Sequence, residues 1–268
     1  MRNIYDVTLK ELEDYFISIN EKPFRAAQVY EGLYKKRYTS FGEMTNISKE
    51  LREKLKQDFS FYKIKMLIKQ QGKNVNKYLF ELEDGNKIET VLMFHDYGTS
   101  ICVSSQVGCN MTCAFCESGR LKKVRNLLAY EIVQQILQIE EDINKRITHV
   151  VLMGIGEPFD NYDNVLRFVK IINCGKGIDI GSRHITISTC GVIPGIKKFM
   201  NEEGQVNLAI SLHAPNDTLR SRIMPINKAY PLNELMETIK EYINKTNRRV
   251  TFEYIMLDNV NDSEENAK

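Results

Sequence analysis

The chain changes rhythm twice. Through its first 61 residues, apolar positions recur at helical steps, as Leu9, Leu12, Tyr15 and Phe16 and then Ala27, Val29, Tyr30 and Leu33. That spacing puts one apolar stripe on a helix and predicts helices over 7–20 and 24–37. The stretch "NISKELREKLKQDF" opens with an Asn or Ser able to cap a third helix. From about 62 to 95 the period shortens to two, in "YKIKMLIKQ" and "NKYLFELEDGNKIETVLMF", with Asp84-Gly85 as a hairpin turn signal. Beyond residue 98, apolar strands alternate with amphipathic helices: "TSICVSS" then 128–142, "THVVLMG" then 161–172, "HITISTC" then 193–203, "VNLAISLH" then 231–245, and last "RVTFEYIML". This order predicts parallel βα units, as a barrel or an open sheet, with ligands at the C-terminal strand ends.

The expected division is a basic helical domain at 1–61, an antiparallel β linker at 62–97 and an α/β domain at 98–268. With only five βα strands, that last domain reads as a partial barrel, incomplete at its C-terminus, and the chain as a fragment of a longer protein. The net charge of +2 hides an asymmetry: residues 22–70 hold twelve Lys/Arg against five Asp/Glu. A basic module suggests a polyanionic partner, because Lys and Arg displace counterions from phosphates. The bland alternative is a solvated helix face. No apolar run approaches the ~20 residues that span a bilayer, and the start "MRNIYDVTLKELEDYF" lacks a signal peptide's apolar core. The expected location is the cytoplasm, with no membrane partner. In that compartment clustered cysteines serve metal binding or catalysis rather than structural disulfides.

The cluster is "SICVSSQVGCNMTCAFCESG", where Cys109, Cys113 and Cys116 stand at C-x3-C-x2-C spacing on a predicted strand-to-helix loop. A structural zinc takes four ligands, but only one C-x2-C is present and the four histidines are scattered. A [4Fe-4S] cluster normally takes four cysteines as well. Three leave one iron open to a ligand, such as the amino and carboxylate groups of S-adenosylmethionine. One βα unit later, "MGIGEP" offers Gly154 and Gly156 for close backbone approach and Glu157 as acceptor for a ligand ammonium. Cys174 and Cys190 stand alone and read as structural.

The cysteine spacing, with Phe115 just before the last Cys, resembles the radical S-adenosylmethionine superfamily. Within it, "CVSSQVGCNMTCAFC", "RNL", "GIGEPFDNYDNV", "HITISTCGVIPGI" and "NLAISLHAPNDTLRSRIMPINKAYPL" look like the RlmN-type adenine C2-methyltransferases of 23S rRNA and tRNA. Upstream, "PFRAAQVYEGLYKKRYTSFGEMTNISKELREKL" resembles that family's RNA-contacting domain. The resemblance implies cluster ligation by Cys109, Cys113 and Cys116, and cofactor contacts from Gly156, Glu157, Ser188, Ser211, Leu212 and His213. It also places Glu89 at the family's proton acceptor and Cys102 at its adduct-resolving cysteine. Without it, Glu89 reads as a cross-strand partner on an exposed hairpin face.

The implied chemistry uses two molecules of S-adenosylmethionine per turnover. One methylates a cysteine near the family's C-terminus; the other yields a radical that takes hydrogen from that methyl group, and the carbon radical adds to adenine. Proton loss and attack by the cysteine matching Cys102 release the RNA and leave a disulfide. The family's methyl-carrying cysteine, and a cofactor-contacting Asn before it, have no counterpart up to Lys268. The expected partners are 23S rRNA or tRNA and an electron donor such as flavodoxin or ferredoxin, acting on a monomer. A second departure is Glu117, beside the last Cys; its charge should lower the cluster's reduction potential unless Arg120 or Lys122 pairs with it. The rivals are the sister activity at adenine carbon 8 and a non-catalytic RNA-binding protein with a structural metal.

Overall fold

The computed structural model describes residues 1–268, and its first helix starts at a capping box. Thr8 Oγ1 accepts from the Glu11 backbone N–H while Glu11 Oε2 accepts from the Thr8 N–H, satisfying two otherwise orphan donors of α1 (Leu9–Ser18). Next come α2 (Arg25–Tyr34) and α3 (Lys49–Asp58), the latter capped by Ser48, which accepts from Leu51 N–H. Of the stripes read from the sequence, Leu12, Phe16, Val29, Tyr30 and Leu33 are buried and Leu9, Tyr15 and Ala27 half-buried; Leu51 and Leu55 of α3 are buried as well.

Three antiparallel strands follow, β1 (Lys65–Gln71), β2 (Val75–Glu81) and β3 (Lys87–His95). Their alternation sends Tyr78, Phe80, Ile88 and Leu92 inward and leaves Lys77 and Glu89 on the other face. β4 (Gly98–Cys102) comes next, then α4 (Ala129–Ile143), which ends on Asn144 in the left-handed region, φ 48°. Residues Met1–Ile101, Leu127–His149 and Asp163–Gly181 form one compact unit.

Cys102–Asn126, Val150–Tyr162 and Ser182–Lys268 form the second. Its frame is parallel: β5 (His149–Leu152) pairs with β6 (Ile185–Thr189), β6 with β7 (Asn207–Ser211), and β7 with β8 (Val250–Glu253). The register sets Ser188 beside Ala209 and Ser211 beside Glu253. In β6 and β7 burial is nearly continuous, as in strands covered on both faces. The helices of this unit are α6 (Ile193–Phe199), α7 (Asp217–Ile223) and α8 (Leu232–Thr246), whereas α5 (Tyr162–Ile172) belongs from Asp163 onward to the first unit. The short α7, capped by Asn216, stands where the sequence suggested only a connection. β8 stops at Glu253, short of the predicted "RVTFEYIML", and beyond it the Ile255 N–H goes to a side chain, His213 Nδ1. The class is α/β, and no helix is long and apolar enough to cross a membrane.

Candidate functional site

The C-terminal ends of β5 to β8 and the loop after β4 enclose a cavity of about 260 Å³ within the second unit. Cys109, Cys113, Cys116, Gly156, Glu157, Ser188, Ser211 and His213 all line it. A more open hollow of about 720 Å³ in the first unit is lined by Lys35, Arg37, Glu140, Glu141 and Arg146 among others. It is larger, but its charged groups largely pair with one another or with backbone, and it gathers no cysteine, serine or histidine; the smaller cavity is where the chemistry converges.

The cysteine loop is short and tightly held. Cys109 N–H donates to Leu121 O at 2.9 Å, Cys116 N–H to Cys113 O at 3.1 Å and Ala114 N–H to Ile223 O at 2.8 Å. Gly108 has φ +72°, and a Cβ there would lie 2.2 Å from Lys122 O, so only glycine fits this turn. Burial raises the thiol of Cys109 and pushes that of Cys113 up to about 12, with Cys116 and Cys109 adding to the latter. Three thiolates here therefore need a cationic centre among them. No three His, Cys, Asp or Glu side chains stand close enough to hold a single ion. A four-iron cluster takes each thiolate on a different iron, so the wider spread and the soft donor set suit it better than zinc.

Glu157 is buried, 3% exposed, with no cation against it. Its Oε1 accepts from Phe159 N–H at 3.0 Å and its Oε2 from Cys190 N–H at 2.8 Å; burial outweighs these bonds and raises its pKa. Gly156, at φ +108°, brings its backbone against Gln106, where a Cβ would lie 2.5 Å away. Gln106 is fully buried; its Oε1 accepts from Glu157 N–H at 2.9 Å, and its Nε2 donates to Asn126 Oδ1 and Asp160 Oδ2.

Across the cavity, Ser188 and Ser211 both donate to Glu253 Oε2, at 2.9 and 3.0 Å. Glu253 lines the cavity and was missed in the sequence, where it reads as one polar position in a strand. His213 is left-handed at φ +57°, and its Nδ1 accepts from Ile255 N–H at 3.0 Å, which leaves the proton of the neutral ring on Nε2. Burial, then the nearby Arg220, pushes its pKa down to about 4. Phe115 stacks edge-on against the His213 ring at 4.9 Å.

Three expected residues lie elsewhere. Leu212 lines a separate cavity with Tyr254 and Met256, while its N–H donates to Glu253 O at 3.0 Å. Cys102 ends β4, and burial pushes its thiol up to about 11. Glu89 belongs to the first unit, where its carboxylate meets Lys77 Nζ at 2.7 Å and both side chains are more than 40% exposed. Glu117 does find Arg120, at 3.4 Å, though both are highly exposed.

Two family models match the chain: the ribosomal RNA large subunit methyltransferase N-terminal domain over residues 2–60, and the radical SAM superfamily over 103–267. Among curated proteins, a probable dual-specificity RNA methyltransferase RlmN of Spiroplasma citri is 54% identical over 271 residues, spanning all of this chain and 79% of the relative. Its namesake from Streptococcus thermophilus (strain CNRZ 1066) is 56% identical over 272 residues, spanning 99% of this chain and 70% of the relative. The crystal structure of a radical SAM methyltransferase from Sphaerobacter thermophilus superposes with a TM-score of 0.92 at 40% identity, covering all of this chain and 80% of that one.

Proposed function

Because this chain belongs to the RlmN family of radical S-adenosylmethionine RNA methyltransferases, we propose that it methylates carbon 2 of adenosine in 23S rRNA and tRNA. The observation that carries the site reading is Glu157, a buried carboxylate without a cation, facing the same cavity as three cysteines. A buried carboxylate in that state awaits a cationic ligand, and the ammonium of S-adenosylmethionine is one. When bound, the [4Fe-4S] cluster and S-adenosylmethionine supply a 5′-deoxyadenosyl radical.

The chain's own residues then have distinct tasks. Cys109, Cys113 and Cys116 hold the cluster, and Gly156 lets the backbone approach the cofactor. Ser188 and Ser211, held by Glu253, offer hydroxyls along the strand ends. His213 presents a neutral Nε2–H, because its Nδ1 is engaged by Ile255. Cys102, with its raised pKa, stays a thiol at neutral pH and loses its proton only when it attacks the RNA adduct. Glu89 accepts the proton from the base after parting from Lys77, a weak exposed partner. The basic helices bind RNA phosphates, so affinity should fall steeply with salt. A small redox protein such as flavodoxin delivers the electron.

The test is anaerobic reconstitution with iron and sulfide, then dithionite and S-adenosylmethionine, with 5′-deoxyadenosine assayed in the presence of tRNA and a 23S rRNA fragment. Cofactor cleavage that disappears in Cys113→Ala, with 2-methyladenosine in digested RNA, is the expected result. Finding 8-methyladenosine would move the reaction to the other carbon. A cluster-free protein without cleavage would overturn the reading.

A further inference from the structure

Two arginines two positions apart on α7 have opposite fates: Arg222 is exposed and Arg220 is fully buried. The Arg220 guanidinium reaches no carboxylate. Its Nε donates to Leu212 O at 3.1 Å, one terminal nitrogen to Asn227 Oδ1 at 2.9 Å, and the other to Cys190 O at 2.7 Å and Ser211 O at 3.2 Å. Every acceptor is neutral. Three are carbonyls at the ends of β6 and β7, where Ser188, Ser211 and His213 line the cavity.

A buried cation with only neutral partners is costly, so its counter-charge deserves to be found. Asp217 is near, but its Oδ1 is taken by Asn227 Nδ2 at 2.7 Å and Leu232 N–H at 2.8 Å. The other anion-forming groups that interact with the guanidinium are the thiols of Cys190 and Cys113. Cys113 packs on the same small apolar patch as Cys190, Ile223 and Met224, and the Ala114 N–H bond to Ile223 O ties the cysteine loop to the end of α7. A protonated Cys113 brings no charge to this neighbourhood; a metal-bound thiolate does.

We propose that Arg220 is a positioning residue and the internal counter-cation of the cluster, fixing the ends of β6 and β7 through their carbonyls while its charge offsets that of the cysteine thiolates. This rests on the reading of Cys109, Cys113 and Cys116 as cluster ligands. Reduction adds a negative charge to the cluster, which a nearby buried cation favours, so weakening that cation lowers the reduction potential.

Two alterations separate charge from scaffolding. Arg220→Gln removes the charge, while Arg220→Lys keeps it but cannot span three carbonyls. The double exchange Asp217→Asn with Asn227→Asp leaves the net charge and the hydrogen bond between the two positions intact, yet moves a carboxylate onto the guanidinium. Each protein is reconstituted anaerobically; iron is counted, the midpoint is read by paramagnetic resonance during a redox titration, and S-adenosylmethionine binding is measured by equilibrium dialysis. Arg220→Gln and the double exchange should retain iron and shift the midpoint to lower potential. Arg220→Lys should stay near wild type in midpoint and bind the cofactor about tenfold more weakly, as loss of hydrogen bonds from a charged donor implies. If Arg220→Gln does not fold, the double exchange decides alone. A wild-type midpoint in the double exchange, with iron retained, overturns the counter-cation role. A wild-type chain that takes up no iron and sulfide overturns the ligand reading beneath it.

Discussion

Glu11, in the first unit, and Glu157, in the second, are held by opposite means. Around Glu11, Arg167 donates at 2.6 and 2.7 Å, Arg2 at 3.1 Å, and Thr8 from both backbone and hydroxyl. Burial pushes its pKa up, but these partners outweigh it and hold the carboxyl at about 2. Glu157 has only uncharged donors, the backbone of Phe159 and Cys190 and the side chains of Thr189 and Cys190, and there burial wins. The same contrast holds for cations. In the basic segment, Arg37, Lys63 and Lys69 pair with Glu140, Glu141 and Asp142 of α4, so part of the excess read from the sequence is neutralised internally. Arg220 has no such partner. Surface pairs stabilise little and hold an architecture loosely; a buried charge left unpaired marks where something else must bind.

That contrast is open to test, most strongly at Glu157. Glu157→Gln should weaken S-adenosylmethionine binding by about tenfold or more, since a charge-assisted contact is lost, and should cost about 1–3 kcal/mol of stability, since an amide nitrogen then faces the Phe159 or Cys190 N–H. Unchanged binding would mean the carboxylate is structural. Next in size is Gly156→Ala, where the positive φ and the clash with Gln106 should cost about 2 kcal/mol in urea unfolding. Full stability there would show a more yielding cavity wall.

Acid should distinguish the two regions by window. His213 titrates at about 4 when folded, below the ordinary 6.5, so the stability from its neutral form is present above pH 6.5 and lost as pH falls toward 4. His213→Gln should flatten that part of the curve. Glu11 contributes above pH 4.5 and loses its contribution as pH falls toward 2, and Glu11→Gln should flatten only this lower window. A single window affected by both variants would dissolve the distinction. The smallest effects belong to exposed pairs. Lys77→Ala should change stability by about 0.5 kcal/mol or less. Glu117→Ala should leave the cluster midpoint nearly in place, because Glu117 and Arg120 are solvated; a shift as large as that of Arg220→Gln would erase the difference between buried and surface charge.

Much of this was legible beforehand. Period-two and period-3.6 patterns mark β2, β3 and the helices because one face of each is buried, and the continuous apolar runs of β6 and β7 mark strands covered on both faces. The cysteine spacing, "GIGEP" and "SLH" point to the strand ends, where local chemistry departs from these patterns. Arg220 was invisible for a physical reason: in "DTLRSRI" it is spelled like Arg222, and only tertiary packing decides which is enclosed. Glu253 was hidden likewise, since its partners Ser188 and Ser211 come from other strands. The divisions at 61 and 97 follow changes of pattern along the chain, whereas the two compact units gather separated segments, because strand and helix pairing ignores sequence order.

The parallel register has a consequence for assembly in time. Ser211 sits beside Glu253, forty-two positions later, and the cysteine loop meets Ile223 more than a hundred residues downstream. Closing such long loops is slow, and each closure must precede the contacts that reward it. On the ribosome the cavity therefore stays unfinished until the strand ending at Glu253 has emerged. A ligand that needs both the cysteine loop and the end of that strand finds its site complete only in the folded sheet.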